Sequence, residues 1–263
     1  MSGFNLRFLG HSTVRLELGG RVVLTDPVLT SRIGALTRVV PAPDPRYWAD
    51  ADLVLISHLH GDHLHLPSLR LIGASTRIVV PRGSGSWLAK RGFRHVEEIA
   101  EGETITDGDL RITATRAVHS GHRWGPRLTH GPQSAAVGHL VTDGATTVYS
   151  AGDTDLFDEM AGLGPVDVAL LPVWGWGPNL GPGHLDPERA AVAAGLLRAR
   201  IAVPVHWGTL AVRGLSRTAR MRRLLIDPPR RFAAAVAAAG HPCDVLLTEP
   251  GENVALPATT DLA

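Results

Sequence analysis

One short run of residues, SHLHGDHLH at positions 57–65, carries four of the chain's 13 histidines together with an aspartate. It directly continues ADLVLIS, residues 51–57, an uninterrupted apolar stretch of the length expected for a fully buried strand. Such a strand would deliver the histidines into a loop at its end, where rigid scaffolds usually present functional groups. The fold must therefore gather further groups around this one strand end.

The spacing within the run suits metal binding. His58 and His60 are two residues apart, so both rings fall on one face of an extended strand end. Gly61 allows a sharp turn, after which Asp62 and His63 can point toward a second position. Imidazole and carboxylate together suit Zn²⁺, Mn²⁺ or Fe²⁺. Four donors in one loop can begin two sites but complete neither.

Three further candidate ligands follow strand-like segments: His119 in RAVHSGHR, Asp153 in YSAGDTD and His206 in VPVHWGT. Any one of them alone would more simply be read as a solvated or backbone-bonded side chain. Their succession after the histidine run instead indicates one composite site. Cys243 is the only cysteine, which disfavours a thiolate-bound structural zinc and excludes an intramolecular disulfide.

The overall composition places few constraints on partners. Lysine and arginine total 26 against 25 acidic residues, so no net charge draws the chain to nucleic acid or to an anionic membrane. The first ten residues show no basic, apolar pattern of a signal peptide, and no stretch reaches the roughly 18 apolar residues of a membrane helix. We expect a cytoplasmic protein that acts on a small-molecule or lipid-like anionic substrate.

The order of elements predicts an α/β fold. Short β-rich runs separated by glycines open the chain as a meander, and strands then alternate with helices. Helices are predicted over 155–161, after an Asp186 N-cap, and from Asp227 to Gly240. Two such halves suit two sheets packed face to face with helices outside, a four-layer αββα sandwich. We expect residues 1–263 to form one domain.

The motifs resemble a known family. H-x-H-x-D-H is the signature of the metallo-β-lactamase fold superfamily, and the chain is most similar to the branch of N-acylphosphatidylethanolamine-hydrolysing phospholipase D and ascorbate-phosphate lactonase. The similarity is carried by motifs between residues 8 and 209, namely GHSTVRLELGGRVVLTDPVLTSR, SHLHGDHL, HSGHR, SAGDTD, HLDPERAA and VPVHWGT. It extends into DPPRRFAAA.

This resemblance implies a dinuclear site with a bridging carboxylate. The first metal would be held by His58, His60 and His119, the second by Asp62, His63 and His206, with Asp153 between them. A hydroxide bridging the two ions would be the nucleophile, and Asp62 could orient it. Zn²⁺ is favoured over Mn²⁺ and Fe²⁺.

The resemblance does not fix the reaction. The branch favours a phosphodiester as the bond that is cleaved. A lactone or carboxylic ester stays as the alternative, and so does a metal-binding sensor or scaffold without turnover.

Several other polar residues have open roles. His11 and Asp26 either orient ligands or loops, or, for Asp26 before a proline, simply form a turn. His65 is expected beside the site or on the surface and not as a ligand. His139 and Asp143 lie on a predicted hairpin, and we expect both to be solvated.

Two longer segments are candidate substrate contacts. The glycine- and proline-rich loop 174–187 could form a cleft wall, with His184 as an acid near the leaving group or only as a tie between loop and helix. The arginine-rich segment from Arg213 to Arg231 is either a solvated helical face or a rim that attracts anionic substrates.

Overall fold

The structure, a computed structural model, describes residues 4–124, 130–174 and 181–256. The strands are β1 Asn5–Gly10, β2 Thr13–Leu18, β3 Arg21–Thr25, β4 Arg32–Ile33, β5 Leu36–Arg38, β6 Leu53–Leu55, β7 Arg77–Pro81, β8 Val96–Ile99, β9 Thr104–Asp107, β10 Leu110–Arg116, β11 His122–Trp124, β12 His130–Gln133, β13 Val137–Thr142, β14 Thr147–Ser150, β15 Val168–Pro172, β16 Ile201–Val205, β17 Leu210–Val212 and β18 Asp244–Val245. The α-helices are α1 Leu66–Ile72, α2 Gly85–Ala89, α3 Pro187–Leu196 and α4 Ala219–Ala239.

The first large sheet has the order β1-β2-β3-β6-β7-β8. Its first three strands pair in antiparallel fashion and form the predicted meander. The next strands join in parallel, with β6 between β3 and β7. All three residues of β6 are completely buried, which confirms a central strand immediately before the histidine run.

The second large sheet has the order β18-β16-β15-β14-β13-β10-β9. An antiparallel pair, β13 and β14, turns at residues 143–146, where Asp143 accepts hydrogen bonds from the backbone. The strands β14, β15 and β16 are parallel to one another, and β10 runs in the same direction because it is antiparallel to β13. The ends of these four strands therefore lie along one edge of the sheet.

The side chains of β6 alternate between two hydrophobic cores, one on each face of the first sheet. Leu53 and Leu55 belong to the core shared by the two sheets, whereas Val54 packs on the other side with Leu69 of α1 and Leu88 of α2. Side chains at successive strand positions point to opposite faces, so one buried strand contributes to both cores.

The outer face of the second sheet is covered by α3 and α4. The helix α3 packs on β15 and on α4, which in turn packs on β16. Ala190 of α3 and Phe232 of α4 are fully buried in the same core. Helices thus cover both outer faces, which confirms the four-layer αββα sandwich. None of the helices in the described ranges has the length and apolar character needed to span a bilayer.

The helix α4 begins eight residues before the predicted start at Asp227. Thr218 is its N-cap and accepts a hydrogen bond from the backbone N–H of Met221 at 3.2 Å. Pro228 and Pro229 are inside the helix, although an Asp-Pro pair is typical of a helix start. Both prolines are buried, so packing outweighs the local signal. The predicted end is confirmed, since Gly240 terminates the helix with a φ of 67°.

The helix predicted over 155–161 is wrong. Only Asp158–Gly162 forms a helical turn, of the 3₁₀ type. Asp155 is held in a loop instead, because its N–H donates to the Val118 carbonyl at 3.0 Å and its carboxylate accepts from the backbone of Gly183 at 3.4 Å. These contacts come from distant parts of the chain, so the local spacing of apolar residues could not reveal them.

The prediction of a solvated His139 is also wrong. Its side chain is only 1% exposed, on the face of β13 that carries the core residues Val137 and Val141. Burial lowers the pKa of His139 to about 4, since desolvation penalises the charged imidazolium. Asp143, four residues on, is partly exposed as expected.

The buried His139 predicts a pH-dependent stability. Its pKa is about 4 in the folded chain and 6.5 when unperturbed, so folding favours the neutral ring. Burial of the neutral ring costs no unfolding free energy above the pKa of the unfolded chain. As the pH falls from 6.5 to about 4, the unfolded chain takes up the proton first, and the free energy of unfolding falls by about 3 kcal/mol in all.

We therefore expect His139→Leu to reduce the acid sensitivity of metal-free protein. Urea unfolding at about pH 7.5 and about pH 4 measures it, and Val141→Ala serves as a core control without a titrating group. An equal loss of unfolding free energy in wild type and His139→Leu would contradict this account.

Candidate metal centre

Loops at one edge of the two sheets bring the predicted ligands together. The histidine run follows β6, His119 follows β10, Asp153 follows β14 and His206 follows β16. Three of the four non-glycine residues with positive φ in the described ranges, His11, Asp26 and His206, are also at this edge. Left-handed backbone in such residues is costly and is commonly found at functional sites.

A first group of ring nitrogens is formed by His58, His60 and His119. The Nδ1 atom of His60 lies 3.0 Å from Nε2 of His58 and 3.1 Å from Nε2 of His119. A neutral imidazole carries only one N–H, so three nitrogens that face one another cannot all be satisfied by hydrogen bonds among themselves. Their convergence fits a metal ion.

A second group contains Asp62, His63 and His206, together with His11. Nε2 of His63 lies 3.3 Å from Nε2 of His206, and Oδ2 of Asp62 lies 3.2 Å from Nε2 of His11. Nitrogen and carboxylate donors without a thiolate suit the metals expected from the sequence. His11 therefore contacts the predicted ligand Asp62 directly.

The carboxylate of Asp153 lies between the two groups. Its Oδ2 atom is 3.4 Å from Nε2 of His63 and 4.0 Å from Nε2 of His119, and Oδ1 is 3.3 Å from Nε2 of His206. The side chain is 4% exposed, and Oδ1 receives no hydrogen bond from any residue that the structure describes. A buried acceptor of this kind is costly unless a cation or donor occupies its vicinity.

Backbone carbonyls orient two of the rings. Nδ1 of His119 donates to the carbonyl of Gly183 at 2.7 Å, and Nδ1 of His206 donates to the carbonyl of Trp174. A carbonyl can only accept, so the proton must be on Nδ1 in both rings. The Nε2 lone pairs of both neutral rings are therefore directed into the centre, as metal ligation requires.

Asp26 and Ser57 orient His63. Asp26 Oδ2 lies 2.8 Å from Nδ1 of His63 and accepts from the Ser57 hydroxyl at 2.6 Å, while Oδ1 accepts from the Ser57 backbone at 2.8 Å. Of the two roles left open for Asp26, these contacts support the orienting one. His65 bonds Ser68 instead, at 2.8 Å, and is in neither group.

The buried surroundings shift the ionisation of these groups. Desolvation lowers the pKa of His206 to about 3 and that of His60 to about 4, so both rings are neutral near pH 7. Burial alone would raise the pKa of the Asp153 carboxyl, but the neighbouring His206 and His63 hold it well below its usual range. His63 differs: burial alone would lower its pKa, but the adjacent Asp153 and Asp26 carboxylates raise it well above its usual range. A metal ion binds the neutral imidazole, so at this ring it would take the place of a proton.

His184 lies beside the centre on a more open side. Its Nε2 atom is 3.8 Å from Oδ2 of Asp153, its ring centre is 4.6 Å from that of His119, and its side chain is 25% exposed. A substrate-facing role and a ligand role are both compatible with this position. Of the predicted cleft wall 174–187, residues 175–180 lie outside the described residues.

Two residues at the centre were missed by the sequence analysis. Ser57 connects Asp26 to the histidine run, and Arg123 donates to the backbone of that run. Arg123 is the last residue of the HSGHR motif, and that motif was the only sequence feature that pointed to it. Its target is a pair of carbonyl groups, which no side-chain pattern identifies.

Comparisons with known proteins agree with this geometry. The family described as a beta-lactamase superfamily domain matches residues 21–207. A UPF0173 metal-dependent hydrolase of Nitratidesulfovibrio vulgaris is 34% identical over 94% of this chain and 93% of its own length. A second one, from Methanopyrus kandleri, is 31% identical over 94% of this chain and 98% of its own.

Solved structures show the same fold. Igni18, described as a novel metallo hydrolase from Ignicoccus hospitalis, has a TM-score of 0.70 and 26% identity, covering 95% of this chain and 97% of its own. An isothiocyanate hydrolase from Delia radicum gut bacteria has a TM-score of 0.68 over 97% of this chain and 99% of its own. At 18% identity, that second similarity concerns the fold alone.

The similarity reaches the family but not the narrower branch. Resemblance to the phospholipase D and lactonase branch stays a prediction, because the relatives are described only as metal-dependent hydrolases. The family match covers most of the chain, and the relatives match over nearly their whole length. The chain therefore belongs to the metallo-β-lactamase superfamily, among the metal-dependent hydrolases of the UPF0173 family.

Proposed function

We propose that this chain is a dinuclear metal hydrolase that cleaves an ester-type bond, with a phosphodiester as the favoured substrate class. The observation that supports two metals is the Asp153 carboxylate, which lies between two groups of imidazoles. One metal would be held by His58, His60 and His119, and the other by Asp62, His63 and His206, with Asp153 serving both. Zn²⁺ is favoured, with Mn²⁺ and Fe²⁺ as alternatives.

The bound ions would lower the pKa of an attacking water and stabilise negative charge on the substrate. The protein residues supply orientation. Asp62 is 14% exposed on its side chain and contacts His11, so its carboxylate is held while one side faces the centre. It would accept a hydrogen bond from the attacking water and orient it. A complete set of donors favours turnover over the sensor alternative.

His184 is the proposed acid. It is partly exposed and lies on the same side of Asp153 as His119. Its imidazolium would donate a proton to the departing alkoxide oxygen of the substrate, so that a poor leaving group departs as an alcohol. A positioned general acid contributes roughly 10²–10⁴-fold to rate.

A groove lined in part by Trp207, the residue after His206, supports an anionic substrate with an apolar part. It has a volume of about 320 Å³ and is bounded by the loop after β5, by Trp207 beside His206, and by one face of α4. Its walls include Val39, Ile226 and Leu247, which are three of the six exposed large hydrophobic side chains in the described ranges.

Two arginines border the same groove. Neither Arg222 nor Arg230 has a carboxylate within 4.0 Å among the described residues, although Glu249 also lines the groove. A larger hollow of about 750 Å³ lies at the other ends of β6 and β7, where Arg21 and Arg77 are already paired with acidic side chains. Cations without an ion pair, in a groove that includes the residue after His206, thus favour a phosphodiester over a neutral lactone.

Metal content tests the dinuclear proposal. In excess zinc, elemental analysis of desalted protein should give about two ions per chain. Asp153→Ala should retain less than one, because a shared carboxylate serves both positions. Asp158→Ala, an exposed acidic residue on the following 3₁₀ turn, is the matched control and should keep both. Saturation of the wild type at one ion would refute the dinuclear site.

The acid role of His184 predicts a selective loss of turnover. His184→Asn should keep both metals yet lower kcat on an alkyl ester by roughly 10²–10⁴-fold, and by much less on a nitrophenyl ester, whose leaving group needs no proton. His95→Asn, at an exposed position in the distant hollow, should change neither value. Loss of a metal, or an unchanged kcat, would show that His184 is not the acid.

A substrate panel decides the reaction class. Metal-replete protein should hydrolyse an anionic aryl phosphodiester faster than a neutral lactone or carboxylic ester, and His63→Ala should abolish the activity. Replacing Arg222 and Arg230 together by glutamine should lower kcat/KM for the phosphodiester by on the order of 10-fold at low salt. The neutral substrates should be unaffected.

The matched control for charge is Arg70→Gln with Arg94→Gln, two exposed arginines outside the groove. Faster turnover of the lactone, with no effect of the groove arginines, would instead support the lactonase alternative.

A further inference from the structure

Arg123 connects the β11 strand to the histidine run. Its Nη1 atom donates to the carbonyl of Leu59 at 2.9 Å and to the carbonyl of Leu64 at 2.7 Å. These two residues bracket the segment 60–63, which carries three of the candidate ligands. One guanidinium therefore joins the beginning and the end of that segment.

The backbone of the segment between these carbonyls makes few other hydrogen bonds. The N–H groups of His63 and Leu64 both donate to the His60 carbonyl, at 3.1 and 2.9 Å, which forms a single helical turn. Among the described residues, no backbone N–H donates to the carbonyl of Leu59 or of Leu64. Both leucine side chains are fully buried, so loss of Arg123 would leave two carbonyls without a donor where water has little access.

The charge of Arg123 is not explained by an ion pair. No carboxylate lies within 4.0 Å of its guanidinium among the described residues, and the residue is partly buried. Desolvation lowers its pKa, with Asp62 opposing that effect from a distance. Burying an arginine without a carboxylate is costly, so the two carbonyls are the contacts that hold it in place.

Trp87 of α2 provides a comparison residue. The guanidinium of Arg123 lies 5.5 Å from the centre of the Trp87 ring, and that of Arg91 lies 3.6 Å from the same ring. Arg91 donates to the Trp87 carbonyl and makes no contact with the histidine run. Both arginines thus lie near Trp87, but of the two it is Arg123 that hydrogen-bonds the histidine run.

We propose that Arg123 is a positioning residue for the candidate metal centre. By fixing the separation of the Leu59 and Leu64 carbonyls, it holds the backbone of the segment that carries His60, Asp62 and His63, while Asp26 and His11 contact two of the side chains. Its hydrogen bonds go to backbone carbonyls and to no candidate ligand side chain among the described residues. The inference rests on the proposed function only in assuming that these side chains bind metal.

Zinc affinity, measured by competition with a chromophoric chelator, tests the proposal without using activity. Arg123→Ala should weaken zinc binding by roughly 10–100-fold, the usual effect of losing a group that orients ligands. Arg123→Lys, which can reach only part of the same contact, should fall between wild type and alanine. Millimolar guanidinium should restore part of the affinity of Arg123→Ala and leave the wild type unchanged.

Two controls separate positioning from general stability. Arg91→Ala loses the same tryptophan contact and should bind zinc as tightly as the wild type. Val141→Ala destabilises the core away from the centre, and it too should keep its zinc affinity. Zinc binding by both Arg123 variants within twofold of the wild type, or an equal loss in Arg91→Ala, would overturn the proposal. Failure of the wild type to bind zinc would instead refute the proposed function.

Discussion

The buried carboxylate of Asp153 is the interaction on which the rest of the structure depends. It is 4% exposed, it lies within 4.0 Å of imidazoles from four separate segments, and one oxygen lacks a hydrogen bond from the described residues. An isolated buried charge of this kind is strongly unfavourable without compensating cations. Metal ions between Asp153 and the surrounding rings would provide that compensation and stabilise the folded chain when they bind.

The fold provides what this centre requires, namely several strand ends at one place. Parallel strands end at the same edge of a sheet, so Asp153 and His206 of the second sheet lie close together. The histidine run after β6 of the first sheet meets them, so candidate ligands up to 148 residues apart in sequence, from His58 to His206, lie at one site. Loops then fix the rings from outside. The Gly183 carbonyl, which orients His119, is itself in a loop whose backbone bonds Asp155. Asp155 also bonds Val118, next to His119, so the orienting contacts form a connected network.

Much of this arrangement could be predicted from the sequence because it depends on residues that are close together along the chain. The apolar run before His58 identifies a buried strand, and the spacing of the histidines predicts a metal-binding loop at its end. The ends of strands β14 and β16 likewise place Asp153 and His206. The resemblance to a known family then groups these residues into two sets, and the structure brings the same sets together.

The features that sequence reasoning missed all depend on distant contacts. The helix α4 starts at Ala219 because its buried side chains pack on the second sheet, which outweighs the Asp-Pro signal. His139 reads as a hairpin residue, yet its strand register turns it into the core. Arg123 acts on backbone carbonyls, and His11 meets Asp62 only after the chain has folded. His139 does alternate with Val137 and Val141 in the sequence, but the contacts of Arg123 and His11 leave no periodic pattern.

Anomalous X-ray scattering at the zinc absorption edge, from crystals of zinc-loaded protein, tests the central claim most directly. Two metals that share Asp153 should give two peaks about 3.5–4 Å apart, one on each side of its carboxylate. One peak should lie nearest His60 and the other nearest His206. A single peak, or a second peak that does not contact Asp153, would contradict the account.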